Sequence, residues 1–132
     1  MKRWIFRLLG KDSDAVVVSF CSGPHELASR MVAEVRQLIP DREHYAVTTE
    51  RIEGVTCLLP IDARAVLRRK RIGLAPTLFF TGPEYEAIRA LARRLAPLRI
   101  LAYNPALERH HLKFSEPVAS ALFLRQVPLD RI

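Results

Sequence analysis

The stretch from Ala15 to Ile39 constrains the fold more than any other part of the chain. The run Ala15-Val16-Val17-Val18-Ser19-Phe20 is nearly all apolar, as in a parallel strand covered on both faces. It leads into Ser22-Gly23-Pro24-His25-Glu26, after which Leu27, Met31, Val35 and Leu38 recur at helical spacing. Pro24 is tolerated in a first helical turn, where an N–H would have no intrahelical partner. Strand, tight turn and helix in that order put the turn at the carboxyl end of a strand, where open α/β sheets gather their ligands. Turn chemistry needs only the Gly and the Pro. The added imidazole of His25 and carboxylate of Glu26 therefore mark a candidate site.

The alternation continues along the chain. Residues 45–49 and 55–59 have strand composition, and Asp62 is placed to cap a helix over 63–72. Residues 76–80 and 99–103 give two further apolar strands. Between them Gly82-Pro83 opens a helix with Ile88, Leu91, Ala92 and Leu95 on one face and Arg89, Arg93 and Arg94 on the other. Asn104-Pro105 stops the fifth strand. The pattern predicts a three-layer, Rossmann-like α/β domain with about five mainly parallel strands and helices on both faces. Val17, Leu58, Leu78, Phe79 and Leu101 are expected in a shared core.

At 132 residues this is one domain. Residues 1–14 form a basic N-terminal segment, and 110–132 a C-terminal segment in which Ser115 is placed to cap a helix over 117–125. Residues 127–132 read as the start of a further region, so the chain is expected to be one part of a longer protein. No apolar run has transmembrane length and no secretory signal pattern is present. Cys21 and Cys57 fall in or beside apolar strands and read as reduced, buried thiols, so a cytoplasmic location is expected.

The formal net charge of +7 is carried by clusters at 2–11, 64–71, 89–99 and 109–113. A basic surface attracts phosphate-bearing partners, and it is also what solvated helix faces look like. Arg64, Arg68, Arg69 and Arg71, with Lys70 among them, are the candidate anion-binding residues. An anionic lipid surface suits them, together with Trp4, Phe6, Leu8 and Leu9 of the basic start, which would place the protein at the inner face of the membrane. Nucleic acid suits them less, because no aromatic stacking platform accompanies the charge. The chain has neither GxGxxG nor GxxxxGK[ST], so dinucleotide and P-loop sites are unsupported. His110-His111 lacks the i, i+4 spacing of a helical zinc pair. No metal and no cofactor is expected.

Four segments in order resemble the N-terminal, acceptor-side domain of the Kdo transferases, glycosyltransferases of the GT-B type. They are Ser22-Gly23-Pro24-His25-Glu26, Thr48-Thr49, Pro60-Ile61-Asp62 and Asn104-Pro105-Ala106-Leu107-Glu108-Arg109. The resemblance implies a proton-accepting role for Glu26 or His25 on a sugar hydroxyl. It also implies acceptor contacts at Ser22, Gly23, Thr48, Thr49 and Asn104. In that family the Glu follows the turn Gly directly, whereas Pro24 and His25 intervene here, and Ala106 stands where the family has Arg. The resemblance further implies a nucleotide-sugar-binding half in a second domain or partner chain, so this chain alone is expected to be inactive. From the residues alone, the alternative is a non-catalytic module that docks a partner protein or an anionic membrane. Glu26 also suits the first turn of its helix simply as a charge favourable to the macrodipole.

Overall fold

Helix and strand periods map onto a single sheet. The computed structural model describes residues 15–80 and 82–111; the readings for 1–14, 81 and 112–132, including the helix over 117–125, lie outside them. In chain order the elements are β1 (Val16–Phe20), α1 (His25–Leu38), β2 (His44–Val47), β3 (Thr56–Leu58) and α2 (Pro60–Leu67). They continue with β4 (Ile72–Leu78), a 3₁₀ turn (Pro83–Tyr85), α3 (Glu86–Leu95), β5 (Ile100–Tyr103) and β6 (Arg109–His111). The strand order is β3-β2-β1-β4-β5-β6. The first five strands pair in parallel, and β6 is antiparallel to β5. This is a Rossmann-like α/β sheet.

Because β1 is buried on both faces, its residues feed two cores. Val17 joins Met31, Val35, Leu74, Leu78 and Leu101 under α1. Val16, Val18 and Phe20 join Leu67, Ile88 and Ala92 under α2 and α3. The expected shared core is thus two: Leu58 and Phe79 pack on the second face, opposite Val17, Leu78 and Leu101. Neighbouring strand residues point to opposite sides, so Leu78 and Phe79 have to part.

Two expectations are corrected. β4 begins at Ile72, not at residue 76, and is buried from Gly73 to Leu78. Pro76 lies inside it, which a central strand usually excludes. Ala75 N–H and Phe79 N–H donate to Arg99 and Tyr103 on the β5 side. Alternation therefore aims the missing N–H of Pro76 at β1, between the rungs Val17–Leu74 and Phe20–Thr77. The second correction concerns α2, which runs over Pro60–Leu67 rather than 63–72. Its N-cap is Leu59, and Asp62 sits in the first turn without capping. β2 and β3 are joined by 48–55 without a helix, and buried Ile52 fills the space against the α1-side core.

The β5–β6 hairpin was not expected. Its loop closes with Leu107 N–H donating to Asn104 O at 2.8 Å, and with Leu107 at φ 60, in the left-handed region. The Leu107 side chain packs against the α1-side core. Arg109 Nη1 lies 3.0 Å from Glu34 Oε1 and ties β6 to α1.

His44 makes folding pH-dependent. Its Nε2–H donates to Ile39 O at 2.6 Å, and burial pushes its pKa below 6.5, with Arg36 adding to the effect and the Ile39 bond opposing it. The unfolded chain takes up a proton near 6.5, but the folded chain does so only at lower pH. The contribution is therefore complete above 6.5 and lost as pH falls toward the folded value. The melting temperature is expected to drop over that window, and His44→Gln, which keeps a donor, should flatten that part of the profile.

Candidate functional site

From β1 the chain moves outward to β2 and β3, then returns through α2 to β4 on the other side of β1. The carboxyl ends of β1 and β4 thus border a topological switch point. Ser22 is fully buried, and its hydroxyl donates to Leu78 O, bridging the two strand ends. Gly23 follows because nothing larger fits. A Cβ there would stand 2.4 Å from Leu78 Cδ2.

A cleft of about 220 Å³ opens at this end. Small-molecule pockets usually measure roughly 300–1,000 Å³, so it suits a small ligand or one end of a larger one. Cys21, Gly23, Pro24 and His25 form one side, and Thr48, Thr49 and Glu50 a second. Glu84, Tyr85 and Ile88 close the third. The Thr48 hydroxyl donates to Glu50 O at 2.7 Å and accepts from Glu50 N–H at 3.1 Å, curling the chain after β2. That turn brings Glu50 Oε2 within 3.4 Å of His25 Nδ1. With Nδ1–H turned to the carboxylate, Nε2 keeps a lone pair, and Ser29 Oγ is 3.5 Å from it. On the far rim the Tyr85 ring stands edge-on to Phe80, with centroids 5.9 Å apart.

The charge of the cleft opposes that of the chain. Among the described residues Glu50 and Glu84 line it and no Lys or Arg does, although the net charge is +7. Pro24 also withholds a backbone donor from the start of α1, so this helix end is a poorer phosphate cradle than a Gly-rich turn. Burial pushes the Cys21 thiol up to about 12, the nearby Cys57 adding to the rise and a hydrogen bond with Thr48 opposing it. Cys21 is therefore a thiol at neutral pH, unsuited to nucleophilic attack. Among the described residues no group of three or more His, Cys, Asp or Glu could hold a metal ion.

Of the sequence-derived candidates, His25, Gly23, Thr48 and Thr49 come together here. Glu26 is exposed in the first turn of α1 and does not line the cleft. Ser22 is buried beneath the turn. Asn104 ends β5, and its side chain bonds within its own loop to Ala106 and Glu108. Arg64, Arg68 and Arg69 are exposed on α2 and the turn after it. Arg71 is at the entry to β4, where its carbonyl accepts from Val16 N–H at 2.8 Å, at the opposite end of the sheet from the cleft. Glu50, Glu84 and Tyr85 escaped sequence reasoning. Their positions just past strand ends were the available signal for them.

Fold and cleft together define a Rossmann-like α/β domain with a small, acidic, hydroxyl-rich site at its switch point. The chain matches no protein-family model, no curated protein and no solved structure at a significant level.

Proposed function

We propose that this chain is the acceptor-side domain of a GT-B-like glycosyltransferase, inactive until a nucleotide-sugar-binding half joins it. One observation carries the reading: the switch-point cleft offers hydroxyls, two carboxylates and a carboxylate-paired imidazole, with no Lys or Arg among its described lining residues. Such a lining hydrogen-bonds a neutral polyol and repels phosphate. His25 takes the proton of the acceptor hydroxyl at Nε2, and Glu50 steadies the resulting imidazolium. The role that the family resemblance gives to the turn Glu passes to His25, because His25 lines the cleft and Glu26 does not. The activated sugar is aligned by the other half, and without that alignment a large part of the rate enhancement is missing.

The test is a titration of the full 132-residue chain with neutral hexoses, with UDP and with inorganic phosphate, followed by amide NMR. Hexoses should shift Thr49, Glu50 and Tyr85 in a saturable way, and Glu50→Gln should weaken that binding. Shifts caused by UDP or phosphate at these amides, without any caused by hexoses, would sink the polyol reading. Sugar transfer by the pure chain would sink the requirement for a second half.

A further inference from the structure

The two helices of one layer carry an unusual surface. Among the described residues the exposed large hydrophobics are Leu59, Ile61, Val66 and Leu98, at 52%, 87%, 43% and 61% exposure. All four lie on or beside α2 and α3. The same layer exposes Arg64, Arg68, Arg69, Arg93 and Arg94. In α2 only Ala63 and Leu67 are buried, one turn apart, so Ile61, Ala65, Arg68 and Arg69 face outward. Arg93 and Arg94 fill the last turn of α3 in the same way, with Leu98 just beyond. The α1 layer on the other face exposes Arg30 and Arg36 but no large apolar side chain.

Basic residues in the last turns of helices complement the macrodipole, and that accounts for Arg93 and Arg94 individually. It does not account for isoleucine and leucine left in water among them. We propose that the outer face of α2 and α3 docks on an anionic lipid bilayer. The arginines meet the headgroup charge while Ile61, Val66 and Leu98 enter the boundary between headgroups and acyl chains. A duplex nucleic acid would satisfy the charge but not bury those exposed apolar side chains in an apolar phase. The docking does not depend on what the cleft binds.

Sedimentation of the full chain with vesicles tests this. Phosphatidylcholine vesicles containing phosphatidylglycerol should bind the protein, phosphatidylcholine alone should not, and added salt should release it. The double variant Arg68→Glu/Arg69→Glu should weaken binding by about tenfold or more, each basic group near the surface counting for close to a factor of five. Arg30→Glu/Arg36→Glu makes the same charge change on the α1 face and should have little effect. Ile61→Ser/Leu98→Ser should also weaken vesicle binding while leaving any retention by duplex DNA unchanged. These positions are exposed, so circular dichroism should show all variants folded. The proposal is overturned by no binding to anionic vesicles at low ionic strength, or by full binding of the Arg68/Arg69 variant. It is equally overturned if the α1 variant loses as much, or if the Ile61/Leu98 variant loses nothing.

Discussion

Leu78→Ala is expected to destabilise the protein by about 2–5 kcal/mol, measured by denaturant unfolding. Leu78 is fully buried in the α1-side core, at the end of a strand that pairs on both sides. Its removal leaves a cavity directly beneath the turn that carries His25. Gly23→Ala attacks the same spot from above, because the new methyl would meet Leu78 Cδ2 at 2.4 Å and Cγ at 3.0 Å. Overpacking of this kind costs about 1–3 kcal/mol. The two substitutions should not add. The cavity left by Leu78→Ala receives the methyl of Gly23→Ala, so the double variant should be more stable than the sum predicts by about 1 kcal/mol or more. Additive losses would mean that Gly23 and Leu78 do not share that space, and the account of the turn would fail.

The same contact explains what the sequence could and could not disclose. Ser22-Gly23-Pro24 after an apolar run signalled a turn at a strand end, and the structure puts it at the switch point. The reason for the Gly, a leucine from a strand more than fifty residues away, is a tertiary fact without a local trace. β4 was cut short because Gly73 and Pro76 both argue against a strand locally, whereas burial between β1 and β5 overrides them. β6 was missed because Arg109-His110-His111 has no strand propensity, and its pairing depends on a loop built by Asn104. In the cleft, His25 was legible because it is out of place in a turn. Glu50 and Glu84 were not, because an exposed carboxylate in a loop is ordinary until a turn folds it onto an imidazole.

Asn104→Ala should cost about 2–4 kcal/mol, since it leaves two backbone donors without acceptors and removes a third bond. The Asn104 side-chain oxygen accepts from Ala106 N–H at 3.0 Å and Glu108 N–H at 2.9 Å. Its amide donates to Glu108 Oε1 at 2.9 Å. Asn104 itself is buried whereas Ala106 and Glu108 are exposed, so water replaces these partners only in part and the loss is that of about three net hydrogen bonds. The loop they hold forces Leu107 into the left-handed region and turns the chain back as β6. Amide exchange at Ala106 and Glu108 should therefore accelerate together with exchange along 109–111. Asn104→Asp separates the acceptor role from the donor role. It keeps both acceptor contacts but sets a carboxylate against Glu108, so it should be less destabilising than Ala, and its loss should shrink on acidification as the new carboxyl takes up a proton and can donate. Hexose binding in the cleft should be the same in both variants, because Asn104 is not part of its lining. If Asn104→Ala leaves stability and exchange untouched while abolishing hexose binding, the side chain serves the ligand and not the loop.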